Sequence, residues 1–279
     1  MNGADLGVVW AVMRWPLVAC LVLPPLLAYL GLHVVRREVI FVDLALAQVA
    51  TLGTCIALIL GYDFHDRIAF WISLAVTFLA AALFSWSRGD HERPVPQEAI
   101  IGITFVVAAA AVIILLSRVA GWKEELEHLL TGDILNVTAG EVGQRAAIFA
   151  VLSGFYATFH QRFALISSDP AKAFADGLRV RLWDFLFYAA FAVVVVSFVR
   201  IAGVLLTFAY LIVPAVCGVT LSRKWSGQLI TGWAVAVAAS LIGLTTSYWF
   251  DLPTGAAIVC ACGLLLVLVS AGASLRRHA

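Results

Sequence analysis

Charged side chains are scarce in this chain. Asp, Glu, Lys and Arg make up 13% of its 279 residues, hydrophobic side chains make up 63%, and the mean hydropathy is +1.00. Because a soluble domain carries about 25% charged residues, this composition excludes an ordinary soluble protein. The formal net charge of +1, with no basic stripe, gives no indication of nucleic-acid binding.

Paired cysteines and a nucleotide-binding loop are also absent from the sequence. The five cysteines form no Cys-x-x-Cys pair and fall in apolar runs, which predicts small packing residues rather than disulfides or a metal cluster. No Gly-x-x-x-x-Gly-Lys-(Ser/Thr) sequence occurs, so the chain has no Walker A loop. We therefore expect no enzymatic activity and no permanently bound cofactor. The amino terminus lacks the pattern of a cleavable signal peptide.

Long apolar runs dominate what is present. A hydrocarbon core of roughly 30 Å needs about 20 helical residues, and lipid offers no hydrogen-bond partner to the backbone, so these runs are predicted to be helices. We predict an all-α, polytopic membrane bundle of eight to nine transmembrane helices, forming a single domain over residues 1–279. The nine candidate spans lie near residues 15–33, 39–61, 68–86, 98–117, 143–165, 184–201, 203–221, 228–248 and 255–273. The sixth and seventh meet at Arg200–Gly203 and are open to being one broken unit.

One charged segment, Asp169–Arg181, lies between long apolar runs. Pro170 suits the first turn of a helix, and Asp169 before it is a good N-cap. Gly177 can end that helix in a left-handed conformation. If this segment is cytoplasmic, 12 of the 18 Lys and Arg residues fall on the same side, as the positive-inside rule requires. The carboxyl terminus is then cytoplasmic, and nine spans would place the amino terminus outside.

The outer loops then carry potential metal ligands. Two interpretations are open for them: capture of an incoming cation, for which His65 and His128 are the residues to test, or simple solvation of charged loops. Glu124 and His128 are four residues apart and would share one face of a helix. The polar residues of these loops are Asp63, His65, Asp66, Glu124, Glu125, Glu127 and His128.

Four separated segments occur in a fixed order along most of the chain. They are Arg36–Gly53, with FVDLALAQVATLG at its end, Leu130–Thr138 (LTGDILNVT), Asp169–Arg181, and Gly203–Ala215 followed by Asp251–Gly255. Together they resemble the metal-type permease family of ATP-binding-cassette importers, which carry zinc, manganese or iron, and within it the zinc-uptake members.

This resemblance implies partners as well as a fold. In that family the permease is a homodimer on two copies of a separate cytoplasmic ATPase, and an extracytoplasmic metal-binding protein delivers the ion. For this chain it implies a permease fold in the lipid of a bacterial inner membrane, and no nucleic-acid partner. It also implies a coupling segment over residues 168–183, with Phe174 as apolar anchor. The predicted ATPase-coupling residues are Asp169, Pro170, Phe174, Asp176, Gly177 and Arg179.

The second span departs from the family pattern. Many family members carry Asp and His four residues apart there, on one helical face, where they can hold a transition metal. Aligned through Gly53, those positions are Leu44 and Gln48 in this sequence. Asp43 precedes the family position by one residue. It lies about 140° around the helix from Gln48 and does not share its face.

Asp43 and Gln48 each allow two interpretations. A carboxylate near a span end is a cation ligand or gate, or an interfacial residue facing Arg36 or Arg37. Gln48 is a pore-lining ligand or makes an interhelical hydrogen bond. The predicted cation-binding residues are Asp43, Gln48, His65 and His128.

The sequence therefore predicts a permease subunit that imports divalent transition metal ions, zinc first and then manganese or iron. It would work by alternating access in a homodimer driven by a separate ATPase. Two alternatives stay open: the same fold carrying a different metal complex or a small organic ligand, and a membrane-embedded regulatory subunit that transports nothing.

Overall fold

The computed structural model describes residues 3–63, 66–87, 95–117, 130–132 and 134–278, and this part of the chain contains no β-strand. Its α-helices are α1 (Gly3–Val22), α2 (Pro24–Arg36), α3 (Val42–Ile59), α4 (Arg67–Ser87), α5 (Gln97–Leu116), α6 (Ala139–Thr158), α7 (His160–Ser168), α8 (Pro170–Ala175), α9 (Val180–Leu221), α10 (Trp225–Phe250) and α11 (Thr254–His278). A 3-10 turn, Ile134–Asn136, precedes α6.

Seven helical stretches in the described residues are long and apolar enough to cross a membrane: Met13–Arg36, which joins α1 to α2, and helices α3, α4, α5, α9, α10 and α11. Helix α9 has 42 residues, or about 63 Å at 1.5 Å per residue, which is twice the hydrocarbon thickness. Its backbone breaks at Gly203, where φ is 72° and ψ is 171°. Helix α9 is therefore long enough for two crossings, as predicted for spans six and seven. This brings the possible crossings in the described residues to eight, within the predicted eight to nine.

Helix α6 differs from the predicted fifth span. It begins at Ala139 rather than near residue 143, because Thr138 and Glu141 form a capping box. The Thr138 amide donates to the Glu141 carboxylate at 2.9 Å, and the Glu141 amide donates to the Thr138 hydroxyl at 3.3 Å. The helix ends at Thr158, and α7 follows after a turn at Phe159. Helix α6 is not among the seven stretches apolar enough to cross a membrane, because its first two turns carry Glu141, Gln144 and Arg145.

The backbone divides into two compact units. The terminal unit consists of Met1–Leu32, Leu130–Val151 and Ile201–Ala279, and the central unit consists of His33–Leu129 and Leu152–Arg200. Three of the four unit boundaries fall within α2, α6 and α9, so each of these helices contributes residues to both units. The prediction of one domain over residues 1–279 stays a prediction.

Small residues let the helices of the terminal unit approach closely. A Cβ atom on Gly31 would overlap the carbonyl oxygen of Leu211, and one on Gly243 would lie 2.5 Å from the Cα of Ile258. Lipid tails are as apolar as leucine, so membrane helices associate largely through such close packing. Glycine at these positions is therefore a packing requirement.

Polar side chains inside the terminal unit find partners on neighbouring helices. The Tyr210 hydroxyl of α9 lies 2.5 Å from the Ser240 hydroxyl of α10 and 3.3 Å from the Cys20 sulfur of α1. All five cysteines are free thiols. Cys20 therefore serves as packing, as predicted, and also accepts a weak hydrogen bond.

In the central unit, helix α3 packs against both α4 and α5. A Cβ atom on Gly53 would lie 2.6 Å from the Cα of Ser73, so α3 and α4 are in backbone contact there. The Ser73 hydroxyl donates to the carbonyl oxygen of Ala50 at 2.7 Å. Helix α3, which carries two of the predicted cation-binding residues, is thus held against α4 at Ala50 and Gly53.

Candidate functional site

The charged segment forms the short helix that its sequence predicts. Asp169 caps α8 by accepting a hydrogen bond from the Lys172 amide at 3.0 Å, and Pro170 occupies the first turn. Gly177 has φ of 72°. Its amide donates to the Phe174 carbonyl at 3.0 Å, while the Leu178 amide donates to the Ala173 carbonyl at 3.1 Å. These two bonds define a Schellman C-cap.

The two faces of α8 differ in burial. Ala173 is fully buried and packs with Ile166 of α7 and Val180 of α9. Phe174, the next residue, is 43% exposed. It lines an open cleft of about 370 Å³ together with Leu178, Arg179, Val180 and Arg181. An exposed aromatic ring beside two arginines is a surface suited to docking a partner, because aromatic and Arg side chains are enriched at interfaces.

A buried arginine lies behind this helix. Arg37, in the corner between α2 and α3, donates through Nη1 to Asp184 of α9 at 2.8 Å, and the two side chains are 1% and 0% exposed. Its Nε donates to the Ser167 hydroxyl of α7 at 2.8 Å. The guanidinium carbon lies 4.0 Å from the ring centre of Phe187.

Asp43 does not pair with Arg37, although facing Arg36 or Arg37 was one of its two sequence-based interpretations. It is 1% exposed, in the first turn of α3. The amides of Asp43 and Leu44 lie near its carboxylate, but neither oxygen has a partner at hydrogen-bonding geometry. Glu98 of α5 is the neighbouring acid, and it accepts a hydrogen bond from the Phe41 amide at 3.3 Å.

Of the other three predicted cation-binding residues, the structure describes only Gln48. Gln48 is 6% exposed within α3. His65 and His128 lie outside the described residues. In the part of the chain that the structure describes, no group of three or more His, Cys, Asp or Glu side chains could hold a metal ion. The four residues therefore stay a prediction.

The second family-like segment meets both parts of the fourth through glycines in the terminal unit. Gly132 has φ of 66°, and a Cβ atom there would lie 2.6 Å from the carbonyl oxygen of Ala202 and closer still to its carbonyl carbon. A Cβ atom on Gly203 would lie 2.5 Å from the carbonyl oxygen of Leu130, and one on Gly255 would overlap that of Thr131. We call Leu130–Gly132, Ala202–Gly203 and Gly255 the glycine crossing.

Sequence reasoning noted these segments only as family markers and missed that they touch. The available signal was a glycine in each segment. Gly132 and Gly203 have positive φ, which glycine adopts far more readily than other residues. The glycine crossing packs Leu130–Gly132 against both the break in α9 and the start of α11. It therefore fixes where these two apolar helices stand relative to each other.

Comparison with known proteins identifies the family. The sequence profile of the ABC 3 transport family matches residues 10–273. The chain belongs to this family. It is thus the membrane permease subunit of an ATP-binding-cassette transporter and not itself an enzyme, since ATP hydrolysis resides on a separate chain. This confirms the resemblance to the metal-type permease family and the predicted class of protein.

Individual relatives agree with this ABC 3 assignment. The chain is 28% identical to the manganese transport system membrane protein MntC of Listeria monocytogenes over 230 residues, covering 82% of this chain and 79% of the relative. It is 26% identical to the manganese import system permease protein ScaB of Streptococcus gordonii over 254 residues, covering 90% and 88%.

A solved structure shares the fold. PsaBC from Streptococcus pneumoniae in complex with Fab superposes with a TM-score of 0.79 at 22% identity, covering 95% of this chain and 94% of that one. The predicted all-α membrane permease fold is thereby confirmed.

Proposed function

We propose that this ABC 3 permease imports divalent transition metal ions as a homodimer that works by alternating access. The cytoplasmic partner is an ATPase and the outer partner is a metal-binding protein. The membrane is a bacterial inner membrane, with the carboxyl terminus of the permease in the cytoplasm. Within this class of cargo we place manganese first, because two relatives are named for manganese transport. Zinc, which the sequence put first, and iron follow.

The observation that carries the proposal is the exposed Phe174 on the capped helix α8, in a chain of this family. The helix is held at both ends by its own caps and on its inner face by Ala173. A rigid helix that presents an aromatic ring needs little ordering when a partner binds. Residues 168–183 are therefore our candidate for the surface that receives the motion of the ATPase.

The coupling role is tested in proteoliposomes that contain the chain and its partner ATPase. We expect Phe174→Ala or Asp176→Lys to lower metal uptake per ATP hydrolysed while the permease stays folded. Phe185→Ala is the matched control, because Phe185 is 37% exposed but lies beyond the coupling segment. Wild-type uptake per ATP in both coupling variants would contradict the assigned role.

The cargo is tested in the same vesicles with manganese, zinc and iron offered separately. Asp43→Asn keeps the shape of the side chain and removes its charge, and Gln48→Ala removes the amide. Uptake of one metal that is lost in either variant would support a cation path beside α3. Thr77→Val is the control, because the Thr77 hydroxyl bonds only within α4, to Ser73, at 2.6 Å.

A second cargo has one observation in its favour. Leu44 and Gln48 occupy the positions of the family's Asp and His, so the usual ligand pair for a bare ion is missing from α3. A metal complex or a small organic ligand needs fewer charged ligands from the protein than a bare cation does. If none of the three metals is taken up while the ATPase is bound and active, this alternative replaces the first.

A further inference from the structure

Arg37 contacts both sides of the coupling segment. Ser167, its partner on α7, precedes the N-cap Asp169 by two residues, and Asp184, its partner on α9, follows the segment. The Arg37 guanidinium group thus bonds both to α7, which precedes α8, and to α9, which follows it. Since all of these residues belong to the central unit, the contact is internal to one compact body.

The chemistry of this contact requires arginine. Its planar fork donates from Nε and Nη1 in two directions while the same plane lies 4.0 Å from the ring centre of Phe187. Lysine keeps the charge but is a point donor on a flexible stem and cannot reproduce this arrangement. Ser167 accepts from Arg37, so its hydroxyl hydrogen is available to Nδ1 of His33, 2.9 Å away.

Arg37 is also placed close to the helix that carries the proposed cation-binding residues. Only a short corner separates it from the start of α3 at Val42. Within that corner Glu38 has φ of 57°, and the Val39 amide donates to the Val34 carbonyl at 3.4 Å. The Val42 amide donates in turn to the Val39 carbonyl at 3.1 Å, so backbone hydrogen bonds continue from the end of α2, beside Arg37, to the first turn of α3, where Asp43 lies.

We propose that Arg37 is a positioning residue that ties the coupling helix α8 to the first turn of α3. Movement of α8 then displaces the start of α3 instead of bending the helices on either side of α8. The link to transport rests on the proposed function, whereas the mechanical link between the helices does not.

The mechanical link is tested by amide hydrogen exchange on the purified full-length chain in detergent, without the ATPase. Arg37→Lys is expected to raise exchange by about tenfold both over residues 160–180 and over residues 42–46 in the first turn of α3, the effect of losing one charge-assisted hydrogen bond. Ser167→Ala removes only the hydrogen bond from Arg37 to Ser167 and leaves the ion pair between Arg37 and Asp184. It serves as the second variant if Arg37→Lys fails to fold. Thr158→Ala is the control, because the Thr158 hydroxyl bonds only to Gly154 of its own helix, at 2.8 Å.

Uptake per ATP in proteoliposomes tests the transport link. The proposal holds if Ser167→Ala raises exchange and lowers uptake per ATP while Thr158→Ala changes neither. Unchanged exchange in Ser167→Ala would overturn it whatever the chain transports. Raised exchange with wild-type uptake per ATP would overturn the role in coupling. A wild-type chain that takes up no metal would refute the proposed function, and the exchange result would still decide the mechanical link.

Discussion

The glycine crossing makes a sharp prediction for Gly132→Ala. Residue 132 has φ of 66°, and a left-handed backbone costs an ordinary residue about 1–2 kcal/mol. The added methyl group would also lie 2.6 Å from the carbonyl oxygen of Ala202. That neighbour is backbone and cannot rotate away, so overpacking adds about 1–3 kcal/mol. We expect a total loss of about 2–5 kcal/mol in the free energy of unfolding.

The measurement is thermal unfolding of the purified permease in detergent. A loss of this size corresponds to a fall in the melting temperature of roughly 3–9 °C for a chain of this length. Gly263→Ala is the matched control, because a Cβ atom there meets nothing within 4 Å. Residue 263 lies inside α11, where alanine is favoured over glycine by about 1 kcal/mol.

Gly132→Ala and Gly263→Ala should therefore change stability in opposite directions. Equal melting temperatures for the two variants would refute the close approach of Leu130–Gly132 to the break in α9. A lower melting temperature in both variants would show that an added methyl group destabilises the bundle at either position. The destabilisation of Gly132→Ala would then not be evidence for the glycine crossing.

Three further predictions concern buried and capping contacts. Asp184→Leu leaves the buried Arg37 without its counter-ion and should cost about 3–5 kcal/mol, while the double variant Arg37→Met/Asp184→Leu should recover most of that loss in thermal unfolding. Asp169→Ala removes the N-cap of α8 and should cost about 1 kcal/mol, seen as faster amide exchange in that helix. Tyr210→Phe removes the hydroxyl that contacts both Ser240 and Cys20 and should lower the free energy of unfolding by at least about 1 kcal/mol; an unchanged melting temperature would contradict it.

Local features of this chain were predictable because their causes lie within a few residues. The helix from Pro170 with its cap at Asp169 and its end at Gly177 follows from capping preferences alone. The break at Gly203 was predicted from the meeting of two apolar runs. The capping box at Thr138, with Glu141 three residues later, carried an equally local signal that would have moved the start of span five.

Long-range pairing was not predictable in the same way. A charge pattern shows that Arg37 needs an anion, but it does not choose between Asp43, six residues on, and Asp184, which lies in another helix. The structure selects Asp184, and Asp43 is left beside Glu98. The glycine crossing was equally hidden, because contact between backbones depends on the three-dimensional path of the chain.

The glycine crossing also fixes an order of events during biosynthesis. A chain folds from its amino terminus while it is still being made, and the central unit ends at Arg200. All its residues have therefore left the ribosome well before Gly255, the last member of the crossing. Until then Leu130–Gly132 lacks the start of α11, which later packs against Thr131 through Gly255. Nascent chains arrested before Gly255 should hence be cut by protease at this segment, whereas those released after it should resist.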